Sequence, residues 1–317
     1  MHGETGNGLS PDLAIDFASA LGTCLEGGKV VIASDTRFSS TMFTHSAVSA
    51  LMACGTKVYS AGTAPAPLLH FLVPYLNADA GLLIGAGHHP AGWNAFVPLS
   101  SYGAYFNSIQ LQELLDIYHA HNYRYCSWDK TGTSENAPGE AASAYLDMIA
   151  SLVDSRLIAS KKYRIIIDCC NGSGSILAQG FAERLGFELI PINDELSGIL
   201  PHDPEPRPRS SFQVKSMMKA LKADAGFVFN SDVSRAAVVT DSLETLSEEY
   251  TLPLVADHLL GKTPAPATVV TNCCSTRTFD EIAMKHNANI IKTKVGQASV
   301  IDKMIESNAV LAGDGFA

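Results

Sequence analysis

Lys29-Val30-Val31-Ile32-Ala33-Ser34-Asp35-Thr36-Arg37-Phe38-Ser39-Ser40 decides the fold, because this stretch opens a unit that the chain repeats twice. A short apolar run reads as a strand, and the hydroxyl-rich turn after it suits a helix start. A helical stretch continues to Cys54, stops at Gly55, and gives way to a second strand near Thr56–Ser60. The same order recurs as strand Arg164–Cys170, turn Asn171-Gly172-Ser173-Gly174, helix Ser175–Leu185, Gly186 and strand Phe187–Ile192. It recurs again as strand Ala267–Cys273, turn Cys274-Ser275-Thr276, helix Arg277–His286 and strand Ala288–Thr293. The near-continuous Val/Ile strands are those of sheets covered by helices on both faces. Recurrence at roughly 100-residue spacing predicts three copies of one α/β domain.

The repeat reaches further. Ala78-Asp79-Ala80-Gly81-Leu82-Leu83-Ile84 echoes Ala223-Asp224-Ala225-Gly226-Phe227-Val228-Phe229, and Asn308-Ala309-Val310-Leu311-Ala312 is a weaker third copy. Each runs into a small polar loop: Gly85–Pro90, Asn230–Arg235 and Gly313–Ala317. Ligands of open α/β sheets bind outside the carboxyl ends of the strands, so these three loops are the site candidates. Tyr123–Gly139, polar with Gly and Pro, reads as a linker, and Leu243–Leu260 as an acidic then apolar helical stretch. Pro201–Pro208 cannot be an interior helix or a central strand. The expected domains are residues 1–138, 139–242 and 243–317, the third of them truncated.

Composition excludes several classes. Of the 317 residues, 46% are hydrophobic and 17% charged, the balance of a globular protein, and the net charge of −10 comes with scattered Lys and Arg. Without a basic patch there is no nucleic-acid footprint. No apolar run approaches the roughly 18–20 residues that span a bilayer, and the polar start Met1–Ser10 lacks the apolar core of a signal peptide. The seven cysteines include the adjacent pairs Cys169–Cys170 and Cys273–Cys274, each ending an apolar run. Both pairs read as small core residues rather than a disulfide framework, which points to a cytoplasmic protein.

In order and spacing, several segments together resemble the α-D-phosphohexomutases, most of all the archaeal-type phosphomannomutase, phosphoglucomutase and phosphoglucosamine mutase group. Leu9-Ser10-Pro11-Asp12-Leu13-Ala14 resembles that family's first helix start, and Ser34–Ser40 its Arg-Asp-Thr-Arg-x-Ser-Ser segment. Asp168–Gly174 is similar to its Asp-x-x-Asn-Gly-Ala-Gly, Ile192–Pro206 to its connecting loop, and Thr293-Lys294-Val295-Gly296 to its Thr-Lys-Val-Gly. The resemblance implies three tandem α/β domains with mixed sheets covered by helices, in a protein of carbohydrate metabolism. It also implies a two-step phosphoryl transfer on a hexose phosphate, in which a phosphoserine, a Mg²⁺ held by three Asp, a Lys and an Arg share the work. Such transfer rests on positioning and on cancelling charge.

Measured against that pattern, most parts are changed. The family's Ala-Ser-His-Asn-Pro is Ala86-Gly87-His88-His89-Pro90, which puts Gly87 at the phosphoserine position. Removing a catalytic nucleophile costs on the order of 10⁶ in turnover in another enzyme. Asn-Gly-x-Lys is Asn94-Ala95-Phe96-Val97, and the metal loop Asp-Gly-Asp-x-Asp-Arg is Asn230-Ser231-Asp232-Val233-Ser234-Arg235. Asp232 with Asn230 and Ser234 would hold Mg²⁺ weakly, since that ion wants carboxylates and phosphate oxygens. The sugar-reading Gly-Glu-x-Ser-Gly is Gly313-Asp314-Gly315-Phe316-Ala317. Neither the family's Gly-Ile-Arg-Gly nor its fourth domain has a counterpart in the sequence.

The site candidates are therefore Gly87, His88 and Arg37 for catalysis, Asp232, Asn230 and Ser234 for a weak metal, and Arg235, Gly313, Asp314 and Gly315 for substrate. Plainer explanations stand beside them: a tight turn at Gly87, a surface ion pair at Asp232 and Arg235, and a structural salt bridge at Arg37. His119, His121 and Cys126 read as surface, and Asp168 and Asn171 as turn formers. The expectation is a degenerate, non-catalytic member that binds a hexose phosphate or a partner such as an active mutase or a second copy of itself. The alternatives are an active phosphosugar mutase, using His88 or His89 as an unusual carrier or completed by another chain, and a non-functional fragment.

Overall fold

The repeat has a physical cause visible in hydrogen bonds. In a computed structural model, which describes residues 1–313, a residue at or just past the end of each first strand accepts a backbone N–H two positions on. Asp35 Oδ1 accepts from Arg37 at 3.0 Å, Asp168 Oδ1 from Cys170 at 2.9 Å and Asn272 Oδ1 from Cys274 at 2.8 Å. These Asx turns throw the chain off the sheet toward a helix. The helices follow at Phe38–Ala53, Ser175–Leu185 and Arg277–Lys285. Helix Pro11–Cys24 starts where the sequence places it, with Pro at its first position.

The Ala-Asp-Ala-Gly repeat is equally concrete. Asp79 accepts the Lys29 N–H at 2.7 Å, and Asp224 accepts the Arg164 N–H at the same distance, so each carboxylate pins the start of a neighbouring strand. Two residues on, a Cβ at Gly81 would lie 2.6 Å from Val73, and one at Gly226 would lie 2.3 Å from Val214. Glycine at each site lets a helix close on the sheet. The third copy carries no Asp, and Val310 N–H bonds directly to the Thr268 carbonyl.

Three sheets result, the first two mixed and the third, among the described residues, all parallel. In the first, Lys29–Ser34 pairs in parallel with Lys57–Thr63 and Ala80–Ile84, and Ala80–Ile84 pairs antiparallel with Trp93–Ser100. The second repeats this: Arg164–Asp168 lies between parallel Glu188–Ile192 and Ala225–Phe229, and Ala225–Phe229 runs antiparallel to Ala236–Val239. In the third, Thr268–Asn272 lies between parallel Asn289–Thr293 and Leu311–Ala312. Apolar clusters fill both faces of the first two sheets; Val30 and Ile32 point to one side, and Val31 and Ala33 to the other.

Three expectations are corrected, and the polar start, whose structure the sequence leaves open, is defined. The Tyr123–Gly139 stretch adds strand Ser134–Asn136 to the edge of the first sheet, parallel to Lys57–Thr63. All three of its residues are exposed, so it carries no apolar alternation to read. The polar start forms strands His2–Thr5 and Gly8–Leu9 on the opposite edge. Helix begins only at Thr251 after a 3₁₀ turn, because Leu246 N–H reaches back to the Val238 carbonyl and holds the preceding segment on the second sheet. Cys169 and Cys170 are buried, as expected, but Cys273 and Cys274 are exposed, lying past the end of their strand.

Candidate functional site

Two equivalent loops meet. The turn Gly85–Pro90 follows strand Ala80–Ile84, and Asn230–Arg235 follows Ala225–Phe229. Arg37, just ahead of helix Phe38–Ala53 and 2% exposed, ties them together. Its guanidinium donates to the carbonyls of Gly87 (3.1 Å) and His89 (2.6 Å) and to Ser231 Oγ (2.7 Å), and it pairs with the Asp35 carboxylate. Ser231 Oγ in turn donates to the Gly87 carbonyl at 2.9 Å, and Ser40 Oγ to Asp35 at 2.6 Å.

Gly87 sits at φ +51°, in the left-handed region that favours glycine. A Cβ there would lie 3.0 Å from Asp232 Oδ2 and 3.3 Å from Asn230 Nδ2. Position 87 thus aims at the loop that the resemblance gives to the metal, but with little space between them.

That loop is closed on itself. Asp232 Oδ1 accepts from the Ser234 N–H (3.1 Å) and Oγ (2.7 Å), while Asn230 Nδ2 donates to Ser234 Oγ (2.9 Å) and Asn230 Oδ1 accepts the Arg235 N–H (3.0 Å). One carboxylate oxygen, Oδ2 of Asp232, is left facing position 87. The Asn230 and Ser234 oxygens are engaged in the turn, and the amide points a donor, not a lone pair, toward Gly87. Among the described residues no group of three or more His, Cys, Asp or Glu could hold a metal ion. The donor set does not fit the family's Mg²⁺.

Around these loops lies a cleft of about 650 Å³. Gly87, His88, Asp232, Ser234 and Arg235 line it, as does Val97, which stands where the resemblance implies Lys. Arg37 and Asn230 do not line it; both are buried behind its wall. Gly313 lies elsewhere, against Leu252, with its N–H on the Val270 carbonyl. Asp314 and Gly315 fall outside the described residues. The Arg235 guanidinium pairs with Glu205 at 2.8 Å. His88 is pushed down to about 4, first by burial and then by Arg235 and His89, so it is neutral at pH 7. Its ring stacks on His89 at 4.4 Å, and among the described residues no hydrogen bond orients it.

Sequence reading missed part of the wall. His2 lines the cleft and stacks on His89 at 5.4 Å, which in turn stacks on Trp93. The third domain contributes Asn272, Cys274 and Gln297. Asn272 was findable by aligning the repeats, since it occupies the place of Asp35 and Asp168; His2 gave no signal.

Three α/β domains whose strand ends converge on one cleft define the class, and comparison supplies the family. The chain matches the model described as "Phosphoglucomutase/phosphomannomutase, alpha/beta/alpha domain I" over residues 1–124, domain II over 143–243 and domain III over 247–315. It belongs to the α-D-phosphohexomutase superfamily. It is 31% identical over 306 residues to the "Probable phosphoglucosamine mutase" of Pyrococcus horikoshii, covering 96% of this chain and 66% of that protein. It is 27% identical over 312 residues to the "Phosphoglucomutase/phosphomannomutase" of Thermococcus kodakarensis, covering 96% and 68%. The chain thus spans about two thirds of the length of these relatives. A phosphoglucomutase/phosphomannomutase family protein from Burkholderia thailandensis shares the fold, with a TM-score of 0.84 at 24% identity over 98% of this chain and 68% of that one. Among the described residues no helix is long and apolar enough to cross a membrane.

Proposed function

We propose that this chain, with domains 1–138, 139–242 and 243–317, binds a hexose or hexosamine phosphate in the three-domain cleft without transferring its phosphoryl group. Position 87 carries the proposal. It has no side chain to phosphorylate, its φ disfavours one, and the Asp232 carboxylate already stands 3.0 Å from where a Cβ would be. The changed metal loop supports the same reading: binding is independent of Mg²⁺, and the cation adds little. In this reading it works in the cytoplasm, on its own or beside a second copy or an active mutase.

The test is a mutase assay of the purified chain with hexose and hexosamine 1-phosphates, their bisphosphates and Mg²⁺, run beside calorimetry with and without EDTA. No turnover above a no-protein control, with saturable binding unchanged by EDTA, is the expected result. Turnover, or a phosphoryl group on His88 or His89 in the intact mass, would overturn it in favour of another carrier. Turnover only on adding a second chain would mean that a partner completes the site.

A further inference from the structure

Val233 lies between Asp232 and Ser234, which line the cleft, yet it lines a different cavity. This second cavity, about 260 Å³, lies where the first two domains meet. Pro65 walls it from the start of helix Ala66–Tyr75, Ile149 from helix Ala141–Ser151, Leu177 and Phe181 from helix Ser175–Leu185, and Phe229 from its strand. Every residue around it is apolar apart from the Tyr145 hydroxyl, and none is charged.

We propose that this cavity is a binding site for a small uncharged aromatic molecule of one or two rings, and that its occupant acts on the Asp232 loop through Val233. The lining excludes the ligands of the main cleft, since a sugar, a phosphate or a metal would lose water and find no partner. Size sets the ring count. An engineered apolar cavity of about 150 Å³ stays dry and takes up benzene, so this one has room for a second ring. The rings of Phe181, Phe229 and Tyr145 offer edges and faces for aromatic contact.

The link to the loop rests on backbone strain. Val233 has φ +61°, a conformation that a β-branched side chain rarely adopts and that surrounding structure must enforce. Gly174 gives it room: a Cβ there would lie 3.0 Å from Val233 Cγ2 and 3.3 Å from the Phe229 ring. A molecule entering the cavity meets the Val233 methyls, and any shift of this residue carries Asp232 and Ser234 with it.

The probe is indole, titrated into the full chain with methyl groups and amides followed by NMR. Saturable shifts confined to the methyls of Ile149, Leu177 and Val233 and their neighbours, accompanied by movement of the Ser234 amide, are expected. Ala178→Phe, which fills the cavity from its helix, should weaken indole binding at least tenfold. Should that variant fail to fold, Leu177→Ala decides, because enlarging the cavity must raise the affinity for indole relative to benzene. The site is disproved by an absence of saturable shifts, by a folded Ala178→Phe variant that binds as tightly as the parent, or by an unchanged indole-to-benzene ratio in Leu177→Ala. It is equally disproved if the same methyls shift with protein concentration alone, which would make a second copy the occupant. A Ser234 amide that stays fixed at saturation disproves the coupling.

Discussion

Restoring serine at position 87 is the perturbation that bears most directly on the cleft. Gly87→Ser forces an L side chain into φ +51°, at about 1–2 kcal/mol for the left-handed conformation. Its Cβ arrives 3.0 Å from Asp232 Oδ2. That carboxylate cannot swing away freely, because its other oxygen is held by the Ser234 N–H and Oγ. Crowding a fixed group adds about 1 kcal/mol or more, so the total is roughly 2–3 kcal/mol. A double-mutant cycle separates the two parts. In an Asp232→Ala background the crowding disappears and the backbone term remains, leaving a coupling of about 1 kcal/mol. Urea unfolding of the four proteins, compared at constant slope m, measures it. The same Gly87→Ser protein, incubated with a hexose bisphosphate, should show no added phosphoryl group in its intact mass. A variant as stable as the parent, or one that takes up a phosphoryl group, would refute the view that the elbow has closed onto the Asp232 loop.

Three further outcomes follow from particular contacts. Arg37→Met leaves the Asp35 carboxylate buried without its cation and should cost about 3–5 kcal/mol; adding Asp35→Asn should recover part of that in urea melts. Gly226→Ala puts a methyl 2.3 Å from Val214 and 2.8 Å from Met218 Sδ, so overpacking of about 1–3 kcal/mol is expected, against little change for Gly139→Ala, which meets nothing within 4 Å. His202 is pulled down by burial, but its hydrogen bonds to Asp168 and the Asp203 carbonyl outweigh that and raise it. Its contribution is therefore full below the usual histidine value of about 6.5 and is lost as pH rises through the folded value; thermal melts across that range should show a decline that His202→Asn reduces.

What could be read in advance was what the chain says more than once. The turn-forming Asp35, Asp168 and Asn272, the pinning Asp79 and Asp224, and the helix-admitting Gly81 and Gly226 each do one mechanical task in more than one domain. Repetition makes such residues legible without any structure. Ser134–Asn136 was missed because an exposed edge strand needs only backbone pairing, and its side chains record nothing. His2 was missed because its role depends on a sheet edge formed with Trp93–Ala95, more than ninety positions away in a contact that no local pattern encodes. The exposed Cys273 and Cys274 show the limit of reading burial from an apolar run: Val269 and Val270 are buried, and the strand ends at Asn272, one residue before the pair.

Arg37 and Arg235 look alike in the sequence, each beside a site loop and each plausible as a phosphate ligand, yet burial gives them different work. Arg37 is 1% exposed at its side chain, and its carboxylate partner is fully buried. An anion reaching for it would have to strip Asp35, Ser231 and two carbonyls of their donor, so Arg37 serves as a fixed cation that joins two domains. Arg235 lines the cleft, and its pair with Glu205 is 17% and 22% exposed. Glu205 has Arg207 as a second partner at 2.6 Å, so it keeps a cation when Arg235 turns away. A phosphate can therefore draw Arg235 from Glu205 without leaving that carboxylate unpaired, whereas Asp232 and the neutral His88 offer it no attraction. If the cleft holds a sugar phosphate, Arg235 is the described residue placed to receive its charge, and Glu205 is a partner that the anion must displace.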